Sequence, residues 1–445
     1  MSIEKQHINA YVLIGVVVIA AFVIPFIDLP PLLMTAALVI LFTAIVFSVS
    51  PLMGLLLLLI IRPILDYFTN DALLEIGSIT VNVAVLLSIV VLIAGGSLLL
   101  KNWKRIRSIP LIWQWSVFLF FVCLSLFNSV NLSVSISEIA RILTIVSLFF
   151  LGYFIINSTT RLQLLVNVLL ISAIIPVLAA FAQFSNNSGL SLSFEDVSNR
   201  LFGTFSHPNL FAFYLVFILG LLLYKFLRKK KNDQKLFWLI GIGTLLFLLI
   251  QTYTRGAWIA FVIIVLIAGT FQYRKMLVLS IGIFVALYAL FSPIQERINS
   301  SLSSDQSSSV QWRYIMWQDS IEYAKERPIL GFGAGTTEMV IKSKRGKEFE
   351  SNAAHNDLIK IALEYGIGGL ASFVVLLGSL LAYSVNIFRR LNKASTSRTL
   401  VLAFLAISAS LIVSSLFDNI IDTTALQWIW WTLAGSIFSV FPPKK

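Results

Sequence analysis

Cysteine occurs once in 445 residues, at Cys123, which excludes an internal disulfide and any cysteine-based metal cluster. Its simplest reading is a small buried hydrophobe. Charge is equally scarce. Only 12% of the residues are charged against 58% hydrophobic, well below the charge of a soluble globular domain. A secreted or cytosolic enzyme is therefore excluded. The common catalytic motifs are missing as well: no Asp-x-Asp pair, no Walker loop, no His-Glu-x-x-His and no Gly-x-Ser-x-Gly. The Gly-x-Gly-x-Gly at 331–335 follows no strand pattern and reads as a tight turn. No metal site or cofactor is indicated.

What the chain has in abundance is apolar runs. Measured against a hydrocarbon core about 30 Å thick, near 20 helical residues, they give fourteen candidate spans. These are 11–27, 31–49, 52–68, 80–100, 110–127, 142–157, 163–183, 209–227, 236–251, 256–273, 276–293, 364–387, 399–417 and 425–441. The expectation is an all-α polytopic transmembrane bundle of about 12–14 spans. One large extracytoplasmic loop, 294–363, is expected to carry short helices. Residues 1–183 form an N-terminal set of spans, 184–293 a second set, and 364–445 the C-terminal set.

The net charge of +12 then divides by side. Alternation puts 20 basic and two acidic residues on one set of ends, which leaves 13 basic and 19 acidic on the other. By the positive-inside rule the first set, with both termini, is cytoplasmic. The positive excess is thus an orientation signal and not a nucleic-acid footprint. In the large loop, a serine-rich stretch at 300–309 precedes a helix around 312–323. Tyr314, Trp317 and Ile321 are spaced there for one face, expected on the membrane surface.

The residues with chemistry gather on the outer side. Arg62 and Asp66, Arg141, Arg200, Arg255, Arg313 and His355 all fall at one interface. A guanidinium fork matches phosphate oxygens at any pH, so the arginines suggest an anion site. The plainer alternative is that each snorkels or pairs with an acid, as the i, i+4 spacing of Arg62 and Asp66 allows. His355 precedes a helical pattern, where the dipole favours a neutral imidazole and hence a base, although its spacing alone fits a helix cap or polar contact better. His207, before Pro208, suits a structural place at a helix start.

Three elements in order resemble the bacterial O-antigen ligase and polymerase family. They are Asn199-Arg200-Leu201-Phe202-Gly203-Thr204-Phe205-Ser206-His207-Pro208-Asn209, then Thr254-Arg255-Gly256-Ala257-Trp258, then the run from Pro328-Ile329-Leu330-Gly331-Phe332-Gly333 through Ala354-His355-Asn356-Asp357 to Glu364-Tyr365-Gly366-Ile367-Gly368-Gly369-Leu370. The resemblance covers roughly residues 190–435. It implies transfer of a glycan from a polyprenyl diphosphate carrier to a hydroxyl acceptor, a sugar or lipid-linked sugar, outside the bacterial plasma membrane. It maps the base onto His355 and diphosphate binding onto Arg200 and Arg255, with Arg313 beside them. Arg62, Asp66, Arg141 and His207 are possible auxiliaries. The rival class is a transporter or flippase for lipid-linked glycans, which places polar groups near the bilayer midplane. A non-catalytic scaffold is the third reading.

Overall fold

Ser50-Pro51 shows how the apolar runs are divided. Ser50 Oγ accepts the amide of Met53 at 3.4 Å, while proline, with no amide hydrogen to satisfy, opens the next helix. Asn82, Asn131, Ser158, Asn356 and Ser395 cap later helices in the same way. The computed structural model describes residues 31–69, 74–76, 79–191, 199–228, 232–278, 309–345 and 353–442, with the single positions 282 and 295. The expected span 11–27, most of 276–293 and the serine-rich stretch lie outside the described residues.

The described helices are α1 (Pro31–Val49), α2 (Pro51–Ile64), α3 (Val83–Lys101), α4 (Ile112–Leu124), α5 (Leu132–Ile155), α6 (Thr159–Ile171), α7 (Ile174–Asn186), α8 (Pro208–Arg228), α9 (Asn232–Gln251), α10 (Arg255–Phe271), α11 (Ser309–Glu326), α12 (Thr337–Arg345), α13 (Asp357–Arg390), α14 (Thr396–Ser414) and α15 (Thr424–Val440). A short antiparallel hairpin, β1 (Leu74–Ile76) with β2 (Ile79–Val81), precedes α3. Among the described residues seven helical segments are long and apolar enough to cross a membrane, α6 and α7 counting as one. Shorter apolar helices occupy other expected spans, so the chain is an all-α, multi-pass membrane protein.

The centre of the bundle is α8, buried along most of its length, and α15, whose residues 425–438 are all buried. α15 runs against α5, and α14 packs on α8 and α10. Close approach is set by small residues: a Cβ on Gly435 would overlap the Phe149 carbonyl, and one on Gly152 the Thr432 carbonyl. Where no water competes, such backbone proximity is the main source of helix association.

Two helices extend well beyond their expected spans. α5 begins at Leu132 and not at 142, because its early polar residues find partners: Ser135 Oγ donates to the Ala334 carbonyl at 2.8 Å, and Glu138 pairs with Arg141. α13 begins at Asp357 and carries a break at Gly366 (φ 68°). In α11 the buried positions are Met316 and Ser320, while Tyr314 and Ile321 are exposed. Cys123 is exposed on the outer side of α4.

Candidate active site

The segment leading into α13 is stitched to the link between α14 and α15. Asn356 caps the helix, accepting the amides of Leu358 and Ile359 at 3.0 and 3.1 Å, and donates through Nδ2 to the Leu416 carbonyl at 2.9 Å. The Asp357 amide donates to the Ser415 carbonyl, and Asp357 Oδ2 accepts the Ile421 amide. These bonds fix Asp418 opposite His355, with His355 Nδ1 3.4 Å from Asp418 Oδ1. His355 adopts φ 47°, a left-handed conformation uncommon for a residue with a Cβ. From α11, Trp317 Nε1 donates to the Ala354 carbonyl at 2.8 Å, and the Trp312 ring meets the His355 ring edge-on at 6.0 Å.

Asp418 also receives Asn209 Nδ2 at 2.9 Å through its other oxygen. Asn209 Oδ1 accepts Arg200 Nη2 at 2.8 Å. Arg200, only 2% exposed, donates through Nε to the Thr252 carbonyl at 2.9 Å and through Nη2 to Thr254 Oγ1 at 3.2 Å. A polar relay therefore runs from Arg200 through Asn209 and Asp418 to His355, joining three segments far apart in sequence. Arg255, the first residue of α10, follows Thr254 directly. Arg313 donates to the Phe417 carbonyl at 2.8 Å, beside Asp418.

Burial alone pushes the Asp418 carboxyl up. The hydrogen bond from His355, the charge of Arg313 and the Asn419 amide outweigh it and hold the group at about 2, below the ordinary 3.8. An ionised Asp418 favours the tautomer with a proton on Nδ1, which leaves the lone pair on Nε2.

The remaining candidates are placed as follows. His207 caps α8: its Nδ1 accepts the Asn209 amide at 3.1 Å and its carbonyl accepts Leu210 and Phe211. Arg62, 2% exposed, pairs with Asp66 at 2.8 Å and lies over the Trp428 ring at 5.6 Å. Arg141 is bidentate to Glu138 at 2.8 and 2.6 Å and donates to the Ile421 carbonyl at 2.6 Å. Each of these two arginines thus has an acid, as the plainer reading had it. They face a cleft of about 900 Å³ between α2, α3, α5 and the start of α13.

Sequence reasoning passed over Asp418 and treated Asn209 as part of a helix start. The available signal was position: the 415–423 link lies on the same expected face as His355, and Asp418 and Asp422 are its two acids. The run containing Gly331 and Gly366 also becomes legible as geometry. With α13 broken at Gly366, the Leu363 and Glu364 carbonyls accept the amides of Phe332 and Gly333 at 2.9 and 3.1 Å, and Ile367 donates to the Pro328 carbonyl. That pairing docks the loop on α13.

The O-antigen ligase family model matches residues 240–374, which include Arg255, Arg313 and His355. An O-antigen ligase from Salmonella typhimurium strain LT2 is 27% identical over 208 residues, covering 43% of this chain and 50% of that protein. The chain thus spans about half the length of this curated relative. With the expected residues drawn together at one end of the bundle, these matches make the chain similar to the O-antigen ligase family over that region.

Proposed function

We infer that the protein transfers a glycan from a polyprenyl diphosphate carrier to a hydroxyl acceptor at the outer face of the bacterial plasma membrane, with both termini in the cytoplasm. The observation that carries this reading is the relay ending at His355, which supplies an oriented base beside fixed positive charge. The acceptor oxygen attacks the anomeric carbon as the bond from that carbon to the diphosphate oxygen breaks. The acceptor proton passes to His355 Nε2, and the electron pair of the broken bond leaves with polyprenyl diphosphate. A single displacement inverts the anomeric configuration.

Diphosphate is a good leaving group whose developing charge needs stabilisation more than protonation. Arg255 and Arg313 suit direct contact with its oxygens. Arg200, buried behind Asn209, acts as a fixed charge and holds the relay in place. Guanidinium groups stay ionised at any working pH, so they stabilise the leaving group without proton exchange.

Glycan transfer in purified membranes tests this assignment. Arg255→Ala is expected to lower transfer by about 100-fold or more, the size of losing one charge-stabilising group. Unchanged transfer by that variant removes Arg255 from the diphosphate site.

A further inference from the structure

The turn from α3 to α4 carries Lys101, Lys104, Arg105 and Arg107 within seven residues, all of them exposed. It lies at the end of the bundle away from the relay. α3 runs to it from the cleft wall at Val85, and Gln114 of α4 donates to Ser379 Oγ at 3.2 Å, far along α13 from Asp357. Several cations at this end are occupied by the chain itself: Arg161, Arg228, Arg390 and Arg398 each donate to a backbone or amide oxygen at distances from 2.7 to 3.2 Å. The four in the turn form no ion pair among the described residues. Their charge is therefore presented outward.

The turn itself is held in place. Ile109 and Leu111 are 3% and 1% exposed, and Asn102 Nδ2 donates back to the Leu98 carbonyl at 2.8 Å. On either side an exposed apolar stripe meets a tryptophan. Ile93 and Leu100 lead along α3 to Trp103, 66% exposed, while Trp113, 64% exposed, opens the stripe of α4 that continues through Val117 and Phe120. Indole rings at the ends of lipid-facing stripes settle at the headgroup level of a bilayer. The cations between them are thereby set at the depth of the lipid phosphates.

An anionic headgroup supplies the partner that this turn lacks. Guanidinium and ammonium groups donate to phosphate oxygens, and basic clusters beside a membrane helix attract anionic lipid. A zwitterionic headgroup offers the same phosphate but brings a cation of its own, which offsets the attraction. We propose that the turn between α3 and α4 binds the headgroup of an anionic phospholipid, in the cytoplasmic leaflet on the proposed orientation. Orientation by charge needs only basic residues, whereas two flanking tryptophans and buried anchors on both sides of the loop build a site. Nothing in the assignment depends on glycan transfer.

Full-length protein in neutral detergent is titrated with phosphatidylglycerol or with phosphatidylcholine of equal chain length, and the first lipid bound is followed by native mass spectrometry. Phosphatidylglycerol is expected to bind about tenfold tighter or more. Arg105→Gln combined with Arg107→Gln should weaken it by about tenfold or more, the worth of two charges near a lipid surface. Arg389→Gln combined with Lys393→Gln removes the same charge from exposed positions at the same end, where no tryptophan adjoins them, and should leave the affinity within about twofold. Lys104→Gln, a single exposed change that leaves the buried anchors intact, should weaken phosphatidylglycerol by about threefold or more. Equal affinity of the wild-type protein for the two lipids overturns the proposal. So does equal loss in the two paired variants, which would reduce the effect to net charge, or unchanged binding when Arg105 and Arg107 are replaced. Displacement of the lipid by an equal concentration of soluble glycerol phosphate overturns it as well, because the turn would then hold free phosphate. Detergent has no sidedness, so a reversed orientation would move the site to the other leaflet without altering these results.

Discussion

Asp418 is the residue on which the site turns, because it joins the imidazole to the arginine relay with its two oxygens. Asparagine at this position keeps the shape but no longer favours a proton on His355 Nδ1. Asp418→Asn is therefore expected to cut transfer by roughly 100-fold or more, in line with losing the orienting acid of a catalytic base. The same carboxyl links stability to pH. Its folded value of about 2 lies below the ordinary 3.8, so the unfolded chain takes the proton first as pH falls. The stabilisation, about 2 kcal/mol, is complete above the ordinary value and disappears as pH drops toward 2. Thermal unfolding in detergent between about pH 5 and pH 2 checks this, and Asp418→Asn should flatten that part of the profile. His355 was visible in the sequence through its motif, but Asp418 was not, because its meaning depends on a contact between links 63 residues apart.

Among the elements, α13 carries the clearest dependence of function on backbone form. Its break at Gly366 frees the carbonyls that dock the outer loop, and a Cβ there would overlap the Ile329 carbonyl. Gly366→Ala combines that overlap with a left-handed conformation and should cost about 2 kcal/mol or more. Gly378, on the same helix, has nothing within 4 Å of a built Cβ. Gly378→Ala should leave stability unchanged or raise it by about 0.5–1 kcal/mol, a contrast that melting curves in detergent resolve. Most of the described helices were legible as apolar runs bounded by proline and capping residues. The start of α13 was legible as the helical pattern after His355, but that of α5 was not, because hydropathy reads Glu138 and Arg141 as a polar end. Their mutual pairing, and the Ile421 carbonyl that accepts Arg141, allow them inside the helix.

For the whole molecule, the sorting of lysine and arginine by side is the physical basis of the proposed orientation. A variant with Cys123→Ser accepts single reporter cysteines. Lys325→Cys, on α11, should react with a membrane-impermeant maleimide on intact cells. Lys393→Cys, between α13 and α14, should react only after permeabilisation, and the reverse pattern contradicts the orientation. The proposed role of His355, as base in glycan transfer from a lipid diphosphate, is tested at the level of the purified membrane enzyme. Proteoliposomes containing His355→Asn, a substitution that tolerates the left-handed backbone at this position, are assayed for transfer from a polyprenyl-diphosphate-linked glycan. Wild-type protein is expected to yield an inverted linkage, and the variant, folded and still binding the bare carrier, to be slower by about 100-fold or more. Transfer by the variant at the wild-type rate, or a wild-type product with retained configuration, contradicts that role.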